Sequence, residues 1–359
     1  MRGLVGRTAM TALGDLMAAR IAATGPITLA EYMGDCLMHP VHGYYTTRDP
    51  FGALGDFTTA PEISQMFGEL IGLSLAQAWL DQGSPAHISL AELGPGRGTL
   101  MADALRATRG VAGFHAALTV HFVETSPSLR AKQSELVPDA VWHDSASTLP
   151  DAPLFLIANE FLDALPIRQF TRDAGGWREH MIGVTDSKLT LGLSQAAPLN
   201  ALDHRLTDTK DGDVIEVCPA LPAIIGHIAK LIDTHGGAAL IIDYGDWQSQ
   251  GDTLQALAGH ETTDPFANPG QADLTAHVDF AAIAAAATTY TRVTPQGIFL
   301  ERLGITGRAQ ALAQGLTGDA LTSHIEAHKR LTHPDLMGNL FKVIGLYPNG
   351  GTPPAGLNP

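Results

Sequence analysis

The sequence predicts an α/β protein built on a Rossmann-like, mostly parallel sheet of seven strands. Three observations predict it. From residue 87 onward, short apolar runs alternate with helical segments. One such run, His87-Ile-Ser-Leu-Ala-Glu-Leu93, stops at three alternate glycines, Gly94, Gly96 and Gly98, before a helical segment over Thr99–Arg106. Acidic residues then stand where later strands end, at Glu124, Asp144 and Glu160. Sheets of this kind bind ligands at the carboxyl ends of their strands, which is where these residues fall.

The elements follow in order. Residues 11–34 read as a helix, a Gly25-Pro26 break and a second helix, which Thr28-Leu-Ala-Glu31 opens as a capping box. Residues 39–60, rich in Gly, Tyr, Thr and Pro, predict a structured loop. Pro61 at the first turn and Trp79 near the end delimit one helix to Leu80. Strands follow near 87–93, 118–124, 140–143 and 154–159. The last of these, Leu154-Phe-Leu-Ile-Ala158, is continuously apolar, as a strand buried on both faces is. Residues 168–193 break the alternation and read as a β-meander inserted into the core. A helix over 220–234 and the strand 238–243 resume it. A polar Gly/Pro loop is expected over 259–273 and an Ala-rich helix over 278–288. Strand residues from Tyr290 to Thr294, helices over 305–315 and 318–331, and a final strand over 340–346 complete the chain. The Pro/Gly-rich tail from Pro348 is expected to be mobile. The expected division is a helical lid region over 1–85, the α/β core over 86–347, and the tail over 348–359.

Composition narrows the function. The 359 residues carry a net charge of −15 and are 45% apolar. No basic tract resembles a nucleic-acid footprint. An acidic surface suits a cationic substrate better. The two cysteines, Cys36 and Cys218, have no metal-ligand spacing and point to no oxidising compartment. No apolar run reaches membrane-spanning length. His324 and His328 lie four apart on a helix, but no third ligand is evident, so no metal is expected. The expected location is the cytoplasm.

The glycine loop is of the nucleotide-binding type, without the dinucleotide spacing Gly-x-Gly-x-x-Gly, which disfavours a nicotinamide dehydrogenase. Its spacing, Glu92-x-Gly94-x-Gly96-x-Gly98, is similar to the first motif of S-adenosylmethionine methyltransferases. Glu124, with Thr125 beside it, stands where an acid takes the ribose hydroxyls, and Asp144 with Ser145 could hold the adenine amino group. Each has a plainer reading. Glu124 could cap the helix starting near Pro127, and Asp144 could open a turn.

Further blocks point one way. Gly55-Asp-Phe-Thr-Thr-Ala-Pro-Glu-Ile-Ser-Gln-Met-Phe-Gly-Glu69 precedes the core, and Ala158-Asn-Glu-Phe-Leu-Asp-Ala-Leu-Pro166 follows the fourth strand. Asp273-Leu-Thr-Ala-His-Val-Asp-Phe280, Thr294-Pro-Gln-Gly297 and Met337-Gly-Asn-Leu-Phe-Lys-Val343 come later. Together they closely resemble the MidA-like methyltransferases, from about residue 12 to 347. Leu162 departs from the pattern, standing where an aromatic is common. The family includes a mitochondrial protein arginine methyltransferase needed for assembly of respiratory complex I. The resemblance implies a class I fold, S-adenosyl-L-methionine as cofactor, methylation of arginine, possibly symmetric, and a complex I subunit as protein substrate. Composition suggests a bacterial member.

An arginine nucleophile needs carboxylates, because its guanidinium is protonated, delocalised and only a donor. Glu160 is the expected main clamp, Asp163 its partner, and Asn159 a contact to cofactor or substrate. Asp163 could instead cap the turn before Pro166. Thr58 and Glu69 are the expected cofactor contacts of the Gly55–Glu69 lid block, against the plainer reading of a capped surface helix. Two alternatives stay open: methyl transfer to a small molecule or another side chain, and a non-catalytic assembly factor that binds the cofactor. Oligomeric state is open, with a homodimer through the inserted strands as one arrangement.

Overall fold

The computed structural model describes residues 10–47 and 59–359. They fall into two units, each with its own core. One contains residues 59–164, 220–249 and 277–359, and the other 10–47, 165–219 and 250–276.

The first unit is α/β, built on a sheet ordered Thr294–Pro295, Phe341–Leu346, Gly237–Asp246, Leu154–Asn159, Ile88–Leu93, Leu118–Val123, Val141–His143. A two-residue strand, Val278–Asp279, also pairs with Gly237–Asp246, so the described sheet has eight strands where seven were expected. Phe341–Leu346 runs antiparallel between Gly237–Asp246 and Thr294–Pro295, and the remaining pairs are parallel. From Ile88–Leu93 the chain steps outward to 118–123 and 141–143. It then returns to the opposite side at 154–159. The sheet order therefore reverses between Ile88–Leu93 and Leu154–Asn159, and in sheets of this kind ligands bind beyond the carboxyl ends of the strands at such a reversal. Both strands are buried at every position, which explains the apolar run Leu154–Ala158 and leaves Ser89 and Glu92 as buried polar groups in the other.

The helix expected over 61–80 is two helices, Ala60–Ile63 and Gln65–Asp81. Ser64 separates them in an extended conformation and caps the second, its hydroxyl accepting the Met66 N–H. This second helix belongs to the sheet unit, not to a separate region ending at 85. Its Gly68 and Gly72 let it lie directly on the Thr99–Thr108 helix. A Cβ at Gly72 would stand 2.6 Å from Ala104 Cα, and one at Gly68 2.8 Å from the Leu100 carbonyl oxygen.

The tail also departs from expectation. Leu357 is buried in the core of this unit, the Arg292 N–H donates to the Asn358 carbonyl, and Ser74 Oγ donates to the Ala355 carbonyl. Gly356, at φ +90°, permits this turn, because a Cβ there would meet the Phe299 ring at 2.8 Å.

The second unit is described by itself. The expected meander is present as Arg168–Asp173, Gly176–Thr185 and Lys188–Leu193, paired antiparallel. The insertion is larger than the sequence suggested. Ile27–Thr28 and Val214–Val217 complete a five-stranded sheet, and the expected 259–273 loop contributes to a three-stranded one. These added strands span two to four residues, too short for a visible alternation. The helix at 29–38 opens with the expected Thr28/Glu31 capping box.

Candidate active site

The glycine loop leaves Ile88–Leu93 with all three glycines left-handed: Gly94 at φ +59°, Gly96 at +53° and Gly98 at +86°. A side chain at any of them would be strained. At Gly94 it would also strike the Phe161 ring, 2.8 Å from the Cβ position. Gly98 then caps the Thr99–Thr108 helix.

Glu92 lies just before the loop, 3% exposed. Its Oε2 has no hydrogen-bond partner among the described residues, and burial pushes its carboxyl up to about 8. Such an oxygen calls for a donor from a ligand.

Glu124 ends the next strand. Its Oε1 accepts the Ser126 N–H at 2.7 Å and its Oε2 faces Gln133 Nε2 at 3.3 Å. Burial raises its pKa above the usual carboxylate range, and those two donors oppose the shift. The N-cap of the Pro127–Leu136 helix is Ser126 and has no side-chain capping bond, so Glu124 does not cap it and takes the Ser126 N–H ahead of the helix instead.

Asp144 is exposed and pairs with Arg130 at 2.5 Å. Arg130 Nε also donates to the Glu124 carbonyl at 2.7 Å, so one guanidinium ties the ends of two neighbouring strands. Thr125 and Ser145 are exposed, and Ser145 Oγ accepts the Ser147 N–H.

The fourth strand end carries the carboxylates. Glu160 follows Leu154–Asn159 at φ +50°, a left-handed conformation rare outside glycine, which turns its side chain back over the strand ends. Its N–H donates to the Ile242 carbonyl at 2.9 Å. Its Oε1 accepts from Ala60 N at 3.0 Å and from Asn159 Nδ2 at 3.2 Å. Burial pushes Glu160 up to about 7 and Asp163 up to about 6. Asn159 Oδ1 and Asp163 Oδ1 are buried with no partner among the described residues.

Asp243, fully buried at the adjacent strand end, completes a group of three carboxylates. Its pKa is raised well above the usual value, first by burial and then by Asp163 and Glu160.

Thr58 lies outside the described residues, as do Gly55 and Asp56 of the same block. Glu69, expected to face the cofactor, holds Arg308 at 2.7 Å and Arg106 at 2.9 Å, and accepts from Gln65 at 3.2 Å. Its two oxygens are taken up in bracing the 65–81 helix against Thr99–Thr108 and Ile305–Ala313. Glu69 is thus part of an ion network, for which the sequence offered only the reading of a cofactor contact or a surface helix. Glu62 is nearer the loop, its Oε1 accepting from Thr99 Oγ1 at 2.7 Å.

Sequence reasoning missed Gln133. Fully buried on the Pro127–Leu136 helix, it donates to the Gly96 carbonyl at 2.7 Å and accepts from Trp142 Nε1 at 2.8 Å. It thereby joins the glycine loop, Glu124 and the third strand. A glutamine in an otherwise polar helix gives no warning of this. Asp243 was visible only as part of a strand-end loop, with no role attached.

A family model for S-adenosyl-L-methionine-dependent methyltransferases matches residues 70–299. The chain belongs to this family. It is 36% identical over 377 aligned positions to the protein arginine methyltransferase NDUFAF7, mitochondrial, of Xenopus laevis, covering 96% of this chain and 86% of that one. The Homo sapiens protein of the same name is 34% identical, with 92% and 82% covered. A Burkholderia thailandensis protein crystallised with S-adenosyl-homocysteine superposes with a TM-score of 0.82 at 29% identity, covering 96% and 94% of the two chains. A native structure from the same organism gives 0.78 at 30%, covering 96% and 93%.

This methyltransferase uses S-adenosyl-L-methionine, and its own residues fit that cofactor. The glycine cradle has no room for a Cβ at Gly94, and Glu92 Oε2 is a buried acceptor without a donor among the described residues, suited to an ammonium. Among the described residues no group of side chains could hold a metal, and no helix is long and apolar enough to cross a membrane.

Proposed function

We propose that this methyltransferase acts on arginine in a protein, with Glu160 and Asp163 as the guanidinium clamp and Asn159 as a further acceptor. One observation carries the reading. Among the described residues, Asp163 Oδ1 and Asn159 Oδ1 are buried acceptors with no donor, beside a carboxylate, Glu160, that also accepts. A guanidinium offers five N–H donors and no acceptor. The NDUFAF7 relatives, named as protein arginine methyltransferases, support the same reading.

The cofactor, when bound, supplies an electrophilic methyl group. We assign its support to Glu92, Gly94, Gly96, Gly98 and Glu124, with Thr125, Asp144 and Ser145 at the outer end. The carboxylates do the rest. Buried before substrate arrives, they are poor acids and strong acceptors. An entering cation restores their ionisation and is drawn to them. Holding the fork on two sides concentrates its charge away from the third nitrogen and orients that nitrogen for in-line attack. Glu160, poised near 7, is the group suited to take the proton released from the methylated nitrogen.

We further propose that the block ending at Glu69 forms a lid. Its support is the Ala60 N–H on Glu160 and Glu62 on Thr99. The acceptor, following the family resemblance, is a subunit of respiratory complex I, and the location is a bacterial cytoplasm. Transfer to a small molecule has no comparable observation behind it.

The test is transfer of tritiated methyl from labelled cofactor into an extract of cells lacking this protein, followed by acid hydrolysis. Label in methylated arginine is the expected result. Label only in small molecules, lipid or lysine overturns the proposal.

A further inference from the structure

We infer that Asp243 and Tyr244 are positioning residues that aim Asp163 at the substrate, Asp243 by holding its backbone and Tyr244 by holding its side chain. The inference rests on the function proposed above and adds two residues to its site.

Both lie on the Gly237–Asp246 strand. Its Ile241 and Ile242 pair in register with Ala158 and Asn159, so Asp243 and Tyr244 adjoin the turn that begins at Glu160. Asp243 Oδ2 accepts two N–H groups of that turn, from Leu162 at 3.0 Å and Asp163 at 3.3 Å. Its Oδ1 accepts the Tyr244 N–H at 3.0 Å. A fully buried carboxylate that accepts three backbone N–H groups fixes the path of the turn.

Tyr244 acts on the Asp163 carboxylate, holding its pKa down against the rise that burial causes. Its ring is held edge-on by His277, 5.3 Å between centroids at 87°, and by Phe341, 5.4 Å at 65°. With the ring held from two sides, the hydroxyl has a set direction. Asp163 is held at its backbone by Asp243, and the inferred contact with Tyr244 holds its side chain, while Oδ1 stays without a partner among the described residues. That oxygen is where a substrate N–H can dock.

Among the described residues, the charged and titratable groups facing Asp163 are Glu160, Asp243 and Tyr244. Arg330 acts on Glu160, and behind the tyrosine ring His277 feels Asp246 and Lys342. Tyr244 is the group of this set that holds the Asp163 pKa down, so its removal should shift the titration of Asp163 upward.

The test compares Tyr244→Phe, Asp163→Asn and the double variant, using labelled cofactor and the same protein extract as acceptor. Tyr244→Phe should leave cofactor affinity and melting temperature unchanged. It should lower the maximal rate about 10- to 100-fold, the scale of a lost hydrogen bond to a charged group, and move the acid limb of the rate to higher pH. In the Asp163→Asn background the same change should have little effect. A Tyr244→Phe enzyme with unchanged rate and acid limb overturns the inference, and so does an equal loss in both backgrounds. If Asp163→Asn itself keeps the rate and pH profile of the wild type, the clamp assignment fails and the inference falls with it.

Discussion

The backbone N–H of Ala60 donates to Glu160 Oε1 at 3.0 Å, joining residues a hundred positions apart. The start of a short helix thereby touches the carboxylate proposed to hold the guanidinium. Glu160→Gln keeps the size of the side chain and can keep that contact, while the charge is lost. Maximal methyl transfer should fall by at least about 100-fold, the scale of a lost clamp and base, with cofactor affinity by calorimetry nearly unchanged. Equal loss of both would remove Glu160 from the substrate side.

Burial raises Asp163 from 3.8 to about 6, so the folded state binds its proton more tightly than the unfolded chain does. The stability this contributes is complete below the unfolded value and is lost as pH rises through about 6. Asp163→Asn removes the charged form. In thermal melts the variant should gain up to about 2 kcal/mol over the wild type above neutrality. The gain should vanish in acid. A variant equally stable relative to wild type at every pH would show that Asp163 titrates normally.

Gln133 joins the Gly96 carbonyl, Glu124 and Trp142. Gln133→Leu fits the volume and removes all three contacts. Cofactor affinity should drop about 10-fold, as expected for losing hydrogen bonds of about 1 kcal/mol each that organise the loop. Unchanged calorimetric affinity would limit Gln133 to a packing role.

Glu69 holds Arg106 and Arg308, and their guanidiniums are partly exposed while Glu69 is buried. Glu69→Gln should cost about 1–3 kcal/mol of stability, less than breaking a fully buried pair, because water can reach the arginines. Cofactor affinity, measured well below the melting transition, should not change. A selective loss of affinity would return Glu69 to the cofactor site.

Leu357 is 7% exposed and packs in the main core near the end of the chain. Leu357→Ala should lower stability by about 2–3 kcal/mol, the ordinary cost of truncating a buried leucine. Chemical denaturation would measure it. No effect would mean the tail is loosely held, as its Pro/Gly content alone suggests.

What the sequence determined by itself was local chemistry and periodicity. The continuous apolar run at Leu154–Ala158, the glycine spacing after Ile88–Leu93, and the Thr28/Glu31 cap each depend on neighbours within a few residues, so the strand, the turn and the helix start could be read directly. The carboxylates at Glu160 and Asp163 were legible for the same reason, being adjacent to a strand end. Contacts between residues far apart in the chain were decided by tertiary structure. Glu69 is an acid at helical spacing in the sequence, and only the approach of Arg308, 239 positions away, makes it part of an ion network. Asp243 meets Leu162 and Asp163 because two parallel strands share a register, and short strands such as Val214–Val217 exist only because a partner supplies their hydrogen bonds. A side chain's job depends on what reaches it, and long-range partners leave no periodic mark on the chain.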